Sequence, residues 1–287
     1  MNIDPLEKVN MNNSTNAVQQ NTPSDRLKVR KFGRWNKVGL QMLIQKEALR
    51  FLSVYMQTII APVVTTLLFY VVFTLALGGE DRMMNDIPYM QFIAPGLIMM
   101  TMAQNAFANT SSSIIIAKAQ GNIVDILMPP LSHVELFLGY TIGAIVRGFI
   151  IGVVCLIAFA IFNGYIPQDP LKLFIFGILG TSMLGIIGII GGIWADKFDH
   201  IAAVTNFIIT PLTFLSGTFY SLDKLSGGWK ILAMSNPFFH MIDGFRSGMT
   251  GESEANTMLS ITILVCTNIV LIFVALRILK TGYKLKS

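Results

Sequence analysis

Six stretches, at about residues 55–78, 90–117, 136–162, 171–195, 201–220 and 258–279, are apolar. Each is near or above the ~20 residues that a helix needs to cross ~30 Å of hydrocarbon. No other feature restricts the fold so strongly. A backbone in lipid has no water to bond, and a helix satisfies its own N–H and C=O groups within one segment. Composition agrees: of 287 residues, 53% are hydrophobic and 13% charged, against ~25% charged in a soluble domain. The expected fold is an all-α polytopic membrane protein with six transmembrane helices.

An even number of spans puts both chain ends on one side, and the basic residues choose it. Fifteen Lys and Arg lie on the terminal side and five on the opposite connections, with Arg147 inside a span. Positive-inside therefore predicts that both termini are cytoplasmic. The net charge of +5 reflects this bias, not nucleic-acid binding. Cys155 and Cys266 lie in apolar runs with no metal-site spacing and read as small hydrophobes.

Residues 1–33 open with a polar Asn/Gln/Ser/Thr tract that cannot bury enough surface to order itself, and are expected to be a disordered cytoplasmic tail. Residues 34–52 (RWNKVGLQMLIQKEALRFL) place Trp35, Val38, Met42 and Leu49 on one helix face. This is an interfacial amphipathic helix with basic residues reaching lipid phosphates, or an ordinary helix packed on protein. The connection 221–257 carries Trp229, Ile231, Leu232, Met234, Phe238, Phe239, Met241, Ile242 and Phe245, too apolar for a solvated loop. Two short helices broken at Asn236-Pro237, dipping into the outer leaflet as a re-entrant hairpin, account for it.

Enzyme signatures are missing. No glycine is followed directly by lysine, so there is no phosphate-cradling GxxxxGK[ST] loop, and there is no HExxH. His133, His200 and His240 lie on different connections. Catalytic, cofactor-binding and metal-ligating residues are expected to be none. Gly139/Gly143, Gly148/Gly152 and Gly188/Gly192 have small-xxx-small spacing, which suits close helix packing within one subunit or at a dimer contact.

Polar residues inside spans are informative because lipid penalises them. Gln104, Asn105 and Asn109 in the second span cannot satisfy themselves as easily as Ser and Thr, so they face protein or a wet pathway. Arg147 is about eleven residues into the third span, ~16 Å deep at ~1.5 Å per residue. No acid lies at matching depth in any span. It either bonds carbonyls or Gln104 and Asn105 as a structural group, or meets an anionic headgroup.

Between the second and third spans stands GNIVDILMPP (121–130). As a helix from about Asn122 to Leu127 it puts Val124 and Leu127 on one side and Asp125 on another. So short a helix is not stable alone, which points to a partner groove. Pro129 and Pro130 would stiffen its exit into the third span.

YMQFIAPGLIMM (89–100), GNIVDILMPPLSHVELFLGYTIGAIVRG (121–148), PLTFLSGTFYSL (211–222) and NPFFHMIDGFRSGMTG (236–251) resemble the inner-membrane permeases of type-2 ABC exporters, most closely the YadH-like subfamily. The likeness runs from about Ser53 to Tyr283, in order, and assigns 53–284 to the permease domain. The N-terminal tail departs from it. The resemblance implies an interfacial N-terminal helix, six spans, a cytoplasmic coupling helix and an outer re-entrant hairpin before span six. It also implies two permease subunits, the partners being a second copy and two separate ABC ATPase subunits that use the ATP. The ATPase would read residues 120–131 through Asn122, Val124, Asp125, Leu127, Pro129 and Pro130. The substrate class it implies is a lipid, a lipid-linked glycan or another amphiphile. A reading of a different kind is a membrane-embedded lipid-modifying enzyme, for which only Asp196, Asp199 and His200 come together in sequence.

Overall fold

The computed structural model describes residues 35–78, 83–84, 87–123, 130–164, 166–222 and 225–284, and Asn36–Ser287 forms one compact unit. The expected disordered tail, 1–33, lies outside the described residues. Helix α1 (Lys37–Leu52) is N-capped by Asn36, whose Oδ1 accepts from the Gly39 amide at 3.0 Å. It buries Leu43, Glu47 and Phe51 and turns Val38, Met42 and Leu49 outward. The apolar face expected from the sequence is therefore the exposed one, and the opposite face docks on protein.

Helix α2 (Ala61–Phe73) is flanked by π turns at Met56–Ile60 and Thr74–Gly78. A third π turn, Thr205–Ile209, separates α6 (Phe198–Val204) from α7 (Thr210–Phe214). The first and third share a cause. Each ends two residues before a proline, Pro62 or Pro211, and the residue between closes a wide turn: Ala61 N–H bonds Met56 O, and Thr210 N–H bonds Thr205 O. Proline supplies no N–H and crowds the preceding turn, and the wider turn makes room for it.

After a short antiparallel hairpin of β1 (Met83–Met84) and β2 (Ile87–Pro88) come the long helices α3 (Tyr89–Ala119), α4 (His133–Asn163) and α5 (Pro170–Trp194). Ser132 and Glu135 form a capping box at the start of α4, and Gly164, at φ 66°, ends it. The sequence placed a fifth span at 201–220. The helix instead stops at Phe214, because Gly217 takes φ 70° and Thr218 Oγ1 donates to Thr213 O at 3.1 Å, turning the chain. Helices α8 (Gly228–Met234) and α9 (Pro237–Thr250) break at Asn236-Pro237, and α10 (Thr257–Thr281) completes the chain.

Four helical segments among the described residues are long and apolar enough to cross a membrane: Met56–Ala76, His133–Phe162, Pro170–Trp194 and Thr257–Thr281. The 31 residues of α3 suffice in length, but its polar face lowers its hydropathy. The 198–214 run is short and interrupted. The protein is thus an all-α membrane protein.

The core runs along α3, α4 and α5, with α9 against them at one end. Phe92, Ile93, Ile98, Met99, Phe176 and Met183 are sealed within it. Glycines set the helix spacing. A Cβ at Gly188 would stand 2.6 Å from Phe107 O, and one at Gly192 3.1 Å from Ser111 O, so α5 lies on the backbone of α3. Gly148 and Gly152 receive Thr181 and Met102, while Gly139 and Gly143 receive Leu43 and Glu47 of α1. All three glycine pairs serve contacts inside one subunit.

Candidate functional site

The polar half of α3 is the centre of the site. Thr101, Gln104, Ala108 and Ser112, spaced by three or four residues, form its partly exposed stripe. Two clefts of about 340 Å³ flank this stripe, and Gln104 and Asn105 line both. One cleft is closed by Ile201, Thr205, Ile209 and Thr210 of the α6–α7 run. The other is closed by Gln57, Pro62, Thr65, Thr66 and Phe69 of the α2 segment. The stripe therefore offers amides and hydroxyls to a groove between apolar helices.

Two arginines stand behind it. Arg147 of α4 donates through Nη2 to Asn105 Oδ1 at 2.9 Å. One turn along α3, Asn109 Oδ1 accepts from Arg50 Nη2 at 3.0 Å, and Asn109 O accepts from the same nitrogen at 2.7 Å. Arg50 also donates to Ser112 Oγ at 3.2 Å and pairs with Glu47 at 3.1 Å, while Ser113 Oγ donates to Glu47 Oε1 at 2.6 Å. Glu47 is fully buried. Burying a carboxylate costs several kcal/mol unless it is paired and bonded, and Glu47 is both. Arg147 has no carboxylate within ion-pair distance among the described residues, and its Nε has no acceptor there. Of the four polar residues singled out from sequence, Gln104 and Asn105 line the clefts. Asn109 and Arg147 are buried and hold the arrangement together.

The 121–130 stretch is described only at its edges; Val124, Asp125, Leu127 and Pro129 lie outside the described residues. Gly121 turns the chain at φ 72°, and the exposed Asn122 donates to Gln120 Oε1 at 3.4 Å. On the other edge, Asn36 Nδ2 donates to Pro130 O at 3.4 Å, and the Asn36 amide donates to Glu135 Oε1. Glu135 Oε2 meanwhile accepts from the Ser132 amide at 2.7 Å. One carboxylate thus ties the start of α1 to the entry of α4.

Two more ion pairs escaped sequence reasoning. Glu47–Arg50 is an i,i+3 pair, and so is Asp243–Arg246 on α9, which is the signal that could have found both. Arg246, counted from sequence as a loop charge, is buried. It donates to Phe92 O at 3.2 Å and Gly217 O at 2.6 Å, with its guanidinium 3.7 Å from the Phe92 ring centroid. Asp243 accepts from the Glu254 and Ala255 amides and from Ser253 Oγ, at 2.9, 3.1 and 2.7 Å.

At the opposite end Lys118 donates to Ile193 O and Ala195 O at 2.8 and 2.6 Å, capping α5. Lys284 donates to Trp194 O at 3.0 Å and to Asp196 Oδ2 at 2.6 Å, and Lys118 reaches Asp196 Oδ1 at 3.4 Å. The Lys284 hydrogen bond holds the Asp196 carboxyl below its ordinary range, against a smaller opposing effect of partial burial. Asp196 is therefore engaged as a clasp between α3, α5 and the end of α10. No group of three His, Cys, Asp or Glu among the described residues is placed to hold a metal ion.

Known proteins resemble this chain along most of its length. Residues 38–250 match the family described as ABC-2 type transporter. The chain is 33% identical over 250 residues to the inner membrane transport permease YadH of Escherichia coli K12, covering 87% of this chain and 98% of that protein. It is 22% identical over 207 residues to nodulation protein J of Rhizobium meliloti strain 1021, covering 71% and 78%. Nodulation protein J of Rhizobium leguminosarum bv. viciae is 33% identical over 87 residues, 30% of this chain and 33% of that protein. A buried, polar-lined helical membrane body matched along most of its length to transport permeases leaves one assignment: this chain belongs to the ABC-2 type transporter family, as a membrane permease subunit, not an enzyme, of an ABC transporter system with an ATPase partner.

Proposed function

We propose that this chain forms the translocation pathway of an ATP-driven exporter as a homodimer, coupled through residues 120–131 to two copies of a separate ABC ATPase, which uses the ATP. The polar stripe of α3 carries the reading: Gln104 and Asn105 line clefts on both of its flanks, bounded by α2 and by α6–α7. Amides and hydroxyls beside apolar walls suit an amphiphile, so the substrate is a lipid, a lipid-linked glycan or a similar molecule. In this reading α3 and the α6–α7 run cross the membrane as well, giving six spans within a permease domain at 53–284. Both termini are cytoplasmic, as the distribution of Lys and Arg favours. Helices α8 and α9 dip into the outer leaflet, which accounts for the exposed Trp229, Ile231 and Leu232. The lipid-modifying enzyme is disfavoured, because Asp196 is engaged by two lysines.

The test is reconstitution with the cognate ABC ATPase, sought in the neighbouring reading frame. ATP-dependent flux of a labelled amphiphile across proteoliposomes is expected. An ATPase that neither co-purifies with the chain nor drives flux through it would overturn the reading.

A further inference from the structure

Between α1 and the end of α3 lies a cavity of about 510 Å³, separate from the two clefts beside Gln104. Its apolar wall includes Met42, Leu43, Ile116 and Leu131, and its charged groups are Lys46 and Arg50. No acid lines it. Glu47, buried behind the lining residues Arg50 and Ser113, bonds both and offsets the Arg50 charge. Lys46 is exposed and has no ion-pair partner among the described residues. Arg50 is fixed by its contacts to Asn109 and Ser112 yet keeps 27% of its side chain exposed. Met42 belongs both to this wall and to the exposed apolar face of α1 with Val38 and Leu49. The mouth of the cavity is thus continuous with a surface suited to acyl chains.

We infer that this cavity is a binding site for an anionic phospholipid, its phosphate between Lys46 and Arg50 and an acyl chain along Met42, Ile116 and Leu131. Charge complementarity selects the occupant: Arg50 is paired with Glu47, but Lys46 adds a charge that no acid among the described residues offsets, which leaves a net positive pocket at the headgroup level of an interfacial helix. Apolar walls exclude free phosphate as a full substitute, because it would leave them uncovered. The inference rests on the placement of α1 in the membrane interface but not on export. Lipid retention and ATP-dependent flux are separate readouts, and either can fail alone.

The experiment purifies the full chain from nanodiscs of phosphatidylcholine with or without phosphatidylglycerol and counts retained lipid by native mass spectrometry. Lys46→Gln is compared with Lys37→Gln, an exposed lysine of the same helix that does not line the cavity. Wild type is expected to retain phosphatidylglycerol over phosphatidylcholine, resisting competition by inorganic phosphate. Lys46→Gln should lower that retention about fivefold, the factor that one basic residue contributes beside anionic lipid, and Lys37→Gln should not. Equal losses in both variants would mean diffuse surface attraction and overturn the site. Unchanged retention in Lys46→Gln would mean that another occupant, a protein segment or a second copy, fills the cavity. Displacement by phosphate alone would reduce it to a simple anion site.

Discussion

Arg147 Nη2 lies 2.9 Å from Asn105 Oδ1, and the Asn105 amide nitrogen donates to Thr101 O at 3.0 Å, so this one side chain is fixed from both ends. The amide that lines both clefts cannot rotate without leaving a buried guanidinium without its acceptor. The two partners should therefore respond unequally to substitution. Asn105→Leu keeps the charge and removes its acceptor, which should destabilise the protein by about 3 kcal/mol or more. Arg147→Leu removes the charge as well and should cost less, on the order of 1–2 kcal/mol. The double variant should be more stable than Asn105→Leu alone, as read from thermal unfolding and from the amount of protein in the membrane. Additive losses in the double variant would show that the two side chains do not act as a pair. Arg147→Lys, a point charge in place of a fork, should not restore the wild-type level.

The Glu47 carboxylate holds α1 against α3 and α4. Glu47→Ala should release α1, and so should Gly143→Val, whose new side chain would meet Glu47 Cβ where a bare Cβ already stands at 2.8 Å. A cysteine placed at buried Leu43, in a Cys266→Ser background, should then react with a thiol reagent at least tenfold faster. Equal labelling with and without Glu47 would mean that α1 is held by its apolar contacts alone.

On α9, Asp243 organises the 253–255 turn and offsets the Arg246 charge. Asp243→Ala should cost about 3–5 kcal/mol, since it leaves Arg246 buried without its acid. Asp243→Asn keeps acceptor capacity and should cost less. The midpoints of thermal unfolding in detergent decide the order, and an Asp243→Ala protein as stable as wild type would remove this network from the account.

For the Asp196 clasp the sign follows from a lowered carboxyl. Its contribution is present above the ordinary carboxylate value of about 3.9 and is lost as the pH falls through the lower folded-state value. Amide exchange at 194–196 and 278–284, corrected for intrinsic rates, should match at pH 7 and pH 5 in wild type. In Asp196→Asn it should be faster at both. Loss of wild-type protection between pH 7 and 5 would contradict the assignment of the clasp to a charged Asp196.

Much of this architecture is legible in the sequence because lipid makes burial and hydropathy coincide: the bounds of α4, α5 and α10 fall within a few residues of the apolar runs. The break at Asn236-Pro237 was legible for the same reason that prolines punctuate any helix. The end of α7 at Phe214 was not, because the turn depends on a positive φ at Gly217 and on hydroxyls that satisfy Thr213 O. At the site, Gln104, Asn105 and Arg147 stood out as polar groups in apolar runs. Glu47 and Arg246 did not, because one lies on a helix that reads as interfacial and the other counts as the charge of a connection between spans. Their burial depends on glycines of another helix and on a carbonyl over a hundred residues away.

The coupling of permease to ATPase is tested most directly by Leu127→Asp, measured as ATPase co-purification together with amphiphile flux per ATP hydrolysed. Leu127 and Val124 share one side of the 121–130 helix expected from sequence, the side assigned to the ATPase groove. The account predicts that the variant inserts in the membrane at wild-type amounts but retains little ATPase and loses ATP-driven flux. Wild-type co-purification and wild-type flux from that variant would contradict it.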